Sequence, residues 1–176
     1  REIPVELAVS SAKIGEAYVF SAFVRDITDR RRAEHRLASQ YAVTRVLSEA
    51  TTLEEAVPKI IQAIGESLEW DLGLFWRVDK RAGVLRCFDQ WNTPSIQADP
   101  FISDAWQRVF RRGEDLPGRI WANGKSVWVV DVTMDSDCIR GPQAGQVGFH
   151  GAFGLPILIG GEIEGIIEFF SRKVRQ

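Results

Sequence analysis

The stretch GEDLPGRIWANGKSVWVVDV, residues 113–132, decides the fold. Leu116-Pro117-Gly118 opens a short helix, Asn123-Gly124 closes it, and Val127 to Val132 reads as a strand. Just before it, Ile102, Trp106, Val109 and Phe110 recur at helical spacing behind Ser103 as N-cap, with Gly113 as the stop. Just after it, residues 133–148 are polar and Gly-containing and form the longest irregular stretch. A closing hairpin then runs over 153–159 and 162–170 about Gly160-Gly161, a tight-turn pair. On the upstream side, residues 92–101 read as a loop. Leu72, Leu74, Trp76 and Val78 alternate along one strand, and Leu85, Cys87 and Trp91 line one face of the next, across a turn at Asp79 to Gly83. Earlier still, Thr52 and Glu55 make a capping box for a helix with Val57, Ile60, Ile61, Ile64 and Leu68 on one face. Pro58 is expected to bend it.

The N-terminal part has a different character. Ile3, Val5, Leu7 and Val9 alternate with polar or small residues, and Tyr18 to Val24 reads as a second strand after a turn. Such a hairpin cannot bury enough area to stand alone. Residues 23–37, FVRDITDRRRAEHRL, carry this strand straight into a charged helix, with Asp26, Thr28 and Asp29 at the changeover. A joint of this kind can pass conformational change between domains. Ala33, Leu37, Thr44 and Leu47, with Gln40 between them, fall at alternating four- and three-residue steps and form a thin coiled-coil seam suited to dimerisation.

At 176 residues the chain accommodates one domain and an appendage, and its start within a strand reads as a piece of a longer modular protein. A net charge of −2 gives no electrostatic case for nucleic acid or an anionic membrane surface. No apolar run approaches the length of a membrane span, and the expected location is cytoplasmic. Two widely separated cysteines, Cys87 and Cys138, read as reduced thiols rather than a metal site.

Residues 23–37, with Glu2 to Glu6 before them, resemble the last two strands and exit helix of a PAS domain. The 113–132 stretch, together with WDLGLFW (70–76) and AFGLPILIGG (152–161), resembles a GAF domain. The resemblance implies an α+β fold: an antiparallel sheet of five or six strands, the terminal helices on one face and a ligand pocket on the other. It divides the chain into a truncated PAS hairpin (1–28), a signalling helix (29–40) and a GAF domain (41–173). PAS followed by GAF implies a bacterial sensor histidine kinase or a cyclic-di-nucleotide enzyme, with the adjacent PAS and output domains and a second copy of the chain as partners.

Three functional classes follow. For catalysis, no Gly-rich phosphate loop, H-E-x-x-H or G-x-S-x-G is present. The GAF-like free methionine sulfoxide reductases need an attacking thiolate, which Cys87 on an apolar strand face does not offer. The segment is therefore expected to be non-catalytic. For sensing, Trp76, Trp91, Trp106, Trp121 and Trp128 sit beside the elements of the implied pocket, with Asp131, Arg140 and His150 as polar anchors for a nucleotide or other aromatic ligand; the alternative, which residue chemistry favours, is that these rings simply fill the core. The cyclic-nucleotide signature of GAF domains is not traceable, and no cofactor or metal is expected. The third class, transmission through the strand-to-helix joint, is the one the sequence favours.

Overall fold

Two strands open the chain in the computed structural model, which describes residues 5–14, 17–27 and 52–175. The chain divides into two units, Arg1–Tyr41 and Ala42–Gln176. In the first, β1 (Val5–Ile14) and β2 (Ala17–Asp26) form an antiparallel hairpin in continuous register from Val5↔Asp26 to Ile14↔Ala17. Leu7 stands opposite Val24, so the alternation seen in the sequence becomes one apolar face, and its members are exposed. Asp26 ends β2. Thr28, Asp29, Ala33, Leu37, Thr44 and Leu47 lie outside the described residues.

The second unit is built on a six-stranded antiparallel sheet in the order β5 (Val109–Phe110), β4 (Val84–Asn92), β3 (Leu72–Asp79), β8 (Glu162–Ser171), β7 (Gly151–Ile159), β6 (Val127–Val129). Helix α1 (Leu53–Ser67) covers one face. Its N-cap Thr52 accepts the Glu55 N–H at 3.3 Å, as the capping box requires, and the helix continues through Pro58 as one element. Val57, Ile60, Ile61 and Ile64 meet Phe75, Ile167 and Phe169 of the sheet, and Trp70 just before β3, in a first core. The helix sits close because β3 (Leu72–Asp79) carries Gly73, where a Cβ would stand 2.3 Å from the Ile61 methyl.

The opposite face carries the larger core, with Leu72, Leu74, Trp76, Leu85, Ile166 and Phe170 from the sheet. It is covered by α2 (Asp99–Gln107), α3 (Asp115–Asn123) and α4 (Gly141–Gln146). Strand β4 (Val84–Asn92) pairs with β3 through a bulge: Trp76 faces Cys87 but Phe75 faces Asp89. One extra residue exchanges the two faces of the strand. Leu85 and Cys87 therefore enter the larger core, while Trp91 passes to the α1 side, where Gly65 makes room for its ring.

Three boundaries differ from the sequence pattern. Helix α2 begins earlier than Ser103, at Asp99 with Pro100 in its first turn, and stops at Gln107 because Arg108 is extended. That releases Val109 and Phe110 to form β5, paired with Leu85 and Arg86. Strand β6 (Val127–Val129) is shorter than the apolar run, since Asp131 turns the chain by accepting the Thr133 N–H at 3.0 Å. Helix α4, with Pro142 in its first turn, also forms inside residues 133–148, which read as irregular. Elsewhere the turns match: Gly124 closes α3 in the left-handed conformation, and Gly160 and Gly161 turn β7 (Gly151–Ile159) into β8 (Glu162–Ser171) with positive φ.

Candidate functional site

Strand β8 places Glu168 between Ile166 and Phe170 on the larger-core face, with no exposed surface. A carboxylate in that position must find partners or be strongly disfavoured. The Trp76 indole N–H donates to Glu168 Oε1 at 2.7 Å. Arg140, the residue that leads into α4, supplies the counterion: Nη2 donates to Glu168 Oε2 at 2.8 Å, and Nη1 lies 2.8 Å from Oε1. The same guanidinium donates through Nε to Asp115 Oδ2 at 2.5 Å. All three side chains are buried.

Asp115 reaches this place through an uncommon backbone. It is the first residue of α3 and has φ +53°, a left-handed conformation that a residue with a Cβ rarely adopts. Around the cluster stand four aromatic rings. The guanidinium carbon of Arg140 is 4.9 Å from the Phe110 ring centre, 5.2 Å from Trp76, 5.5 Å from Phe170 and 5.6 Å from Phe101. Desolvation is the largest influence on every member. It raises the Glu168 carboxyl, and Arg140 only partly offsets it. At Asp115 desolvation also pushes upward, but the attraction and hydrogen bond of Arg140, with the Cys138 thiol against the same carboxylate, leave it lowered. Arg140 is held protonated by its two carboxylates against its own burial.

Of the residues the sequence singles out, Trp76 and Arg140 meet here. Trp121 belongs to the same core but lies at its rim, under the Arg112 guanidinium at 4.8 Å. The other three rings are elsewhere. Trp91 packs on the α1 side. Trp106 is half exposed and donates to Gln90 Oε1 at 2.8 Å. Trp128, also half exposed, packs edge-on against Trp70 at 5.5 Å. Asp131 and His150 pair with each other at 3.1 Å, away from Arg140, and hydrogen bonds from Thr133 help hold Asp131 below its ordinary value against a larger, opposing desolvation. Five rings do not line one pocket, because β6, α2 and the bulged β4 turn three of them away. Sequence reasoning missed Asp115 and Glu168. Glu168 had a signal: it is the lone charge in Gly165-Ile-Ile-Glu-Phe-Phe170, apolar on both strand faces. Asp115 had none, since an acid in a helix's first turn is ordinary.

A GAF-domain sequence model matches residues 50–176, most of the chain. The chain belongs to the GAF family. No curated protein matches it. Among solved structures, it resembles free methionine-R-sulfoxide reductase from Neisseria meningitidis in complex with its substrate, at 19% identity and TM-score 0.63, over 83% of this chain and 78% of that one. It also resembles the GAF domain of a phosphoenolpyruvate-protein phosphotransferase from Coxiella burnetii, at 19% identity and TM-score 0.62, over 79% and 80%. The reduced form of the Staphylococcus aureus reductase matches at 12% identity and TM-score 0.60, over 81% of each chain. These likenesses establish the α+β GAF architecture. They also correct the expectation of a non-catalytic segment: reductases share this fold, so the fold does not make the domain non-catalytic.

The two thiols of this GAF domain are both buried and free. Desolvation pushes Cys87 up to about 12 and raises Cys138 as well, with Glu168 and Asp115 respectively adding to it. At pH 8 the Cys87 thiolate fraction is on the order of one in ten thousand. Cys87, on β4, is therefore expected to resist an aromatic disulfide reagent in the native protein and to react fully once unfolded. A rapid native reaction of Cys87 would contradict its burial. Among the described residues, no helix is long and apolar enough to cross a membrane, and no group of His, Cys, Asp and Glu is arranged to hold a metal ion.

Proposed function

We propose that this GAF domain is the sensory and regulatory module of a bacterial signal-transduction protein, either a histidine kinase or a cyclic-di-nucleotide enzyme. Residues 29–40 would link a preceding PAS domain to it, with Asp26, Thr28 and Asp29 as the joint. Two copies would pair along Ala33, Leu37, Thr44 and Leu47. The observation that carries this reading is Arg140, a fully buried cation delivered into the larger core by the β6–β7 connection rather than by a strand. A guanidinium is well solvated in water and well paired between Asp115 and Glu168, so its two positions differ by a small balance of large terms. A connection poised in this way is the kind of two-state element that regulation requires.

Native-state hydrogen exchange tests it. Amides of residues 131–148 are expected to exchange through a local opening well below the free energy of global unfolding, while β3 and β8 exchange only globally. Exchange of 131–148 by global unfolding alone would end the proposal. The pairing is tested separately, by sedimentation of a protein that includes the preceding domain; a monomer at every concentration would remove the dimer from the reading.

A further inference from the structure

We propose that the enclosure around Arg140 is a binding site for a small organic cation of the guanidino or primary-ammonium class. Arg140 is its internal occupant and gives way when such a ligand enters. This rests on the regulatory reading of the same site and adds the chemistry of the signal.

The walls are built without the occupant. Trp76, Phe110, Phe101 and Phe170 come from β3, β5, α2 and β8, and the two carboxylates come from α3 and β8. Glu168 is oriented by the Trp76 indole, not only by Arg140. Asp115 carries its buried carboxylate inward from a left-handed backbone, φ +53°. Asp115 Oδ1 and Arg140 Nη1 are both buried without a hydrogen-bond partner, so the tethered guanidinium leaves one acceptor and one donor of the site unmatched. Rings on several sides of one cation, with carboxylates filling the gaps, are the chemistry that recognises ammonium and guanidinium groups. The same carboxylates repel anions.

The occupant, by contrast, comes from a single connection. That connection is fastened at its rim by the Arg119–Asp135 ion pair at 2.8 Å and the Asp131–Thr133 turn, and it exposes Met134 and Ile139. A close approach makes its position specific: a Cβ on Gly141 would stand 2.3 Å from the Val132 carbonyl oxygen. Expelling Arg140 must therefore displace residues 131–148 as a unit, which turns occupancy into a change of surface. Because the ligand competes with a tethered guanidinium, its apparent affinity falls by the fraction of molecules with the site open.

The test uses methylguanidinium and agmatine as probes, with urea as the neutral isostere of guanidinium. In an Arg140→Ala variant, methylguanidinium is expected to raise the melting temperature saturably and to move the Trp76 indole N–H resonance, and urea at the same concentration to do neither. In the wild type, agmatine is expected to move the same resonance and to speed exchange of residues 131–148. A wild type that agmatine leaves unchanged up to its solubility overturns displacement, and the wild-type measurement stands even where Arg140→Ala does not fold. An Arg140→Ala variant that responds to urea as it does to methylguanidinium, or to neither, overturns recognition of the cation. If residues 131–148 still open locally in either of these cases, the regulatory reading survives and only the ligand class fails.

Discussion

Arg140→Met is expected to lower the stability of the domain by about 3–5 kcal/mol near neutral pH, the usual cost of removing one partner from a buried ion pair. Methionine replaces much of the volume, so the loss reports the two abandoned carboxylates rather than a cavity. The pH dependence separates these further. In the wild type the Glu168 carboxyl sits above its ordinary 4.5, so its contribution is full below that value and is lost as pH rises through the folded-state value. Asp115 sits below its ordinary 3.8, so its contribution is present above that value and is lost as pH falls through the folded-state value. The two oppose each other. Without Arg140, desolvation is opposed only by the Trp76 hydrogen bond at Glu168 and by those of Cys138 and the Leu116 N–H at Asp115, so both carboxyls rise. The variant should therefore be more stable at about pH 5 than at about pH 7.5, where burying the two charges costs most. Denaturant unfolding at the two pH values, for both proteins, measures this. A loss under about 1 kcal/mol with the wild-type pH slope would mean the carboxylates are already solvated.

Much of the domain was legible because its signals are local. The capping box at Thr52, the turn glycines at 160–161 and the strand alternations of 72–78 each specify their own few residues, and the structure places all of them as read. What failed was non-local. The bulge between Phe75 and Trp76 exchanges the faces of β4, yet nothing in residues 84–92 announces an extra residue. Trp91 consequently points to α1 instead of toward Trp76. The same limit applies to the site. Arg140 lies in a stretch that reads as irregular and polar, and only the fold brings it between Asp115, 25 positions upstream, and Glu168, 28 downstream. The tryptophans are spread over both cores and the surface, whereas the one glutamate in an apolar strand marks the site. A buried charge is a stronger indication of a site than a buried ring, because a ring is stable in any core and a charge is not.

Trp70→Ala is expected to cost about 3–5 kcal/mol, as aromatic deletions in a packed core do, and also to loosen the end of the domain. Trp70 is buried between the Trp128 ring at 5.5 Å, Phe169 at 5.9 Å and Phe153 at 6.3 Å. The Arg175 guanidinium lies over it at 4.6 Å and donates to the carbonyl oxygens of Leu68, at 3.1 Å, and Glu69, just beyond the end of α1. Trp128 Nε1 donates to the Arg175 carbonyl at 3.0 Å. One ring thus joins the end of α1 to the segment that follows β8. Trp70→Phe should cost distinctly less, because the Trp70 Nε1 has no hydrogen-bond partner to lose and a ring still faces Arg175. Arg175→Ala separates packing from clamping: it keeps the core, and so should free the amides of residues 172–175 for exchange with little change in global stability. If Trp70→Ala loses its stability but 172–175 stay as protected as in the wild type, the clamp depends on Ser171, whose hydroxyl accepts the Arg175 Nε at 3.2 Å, and not on the ring.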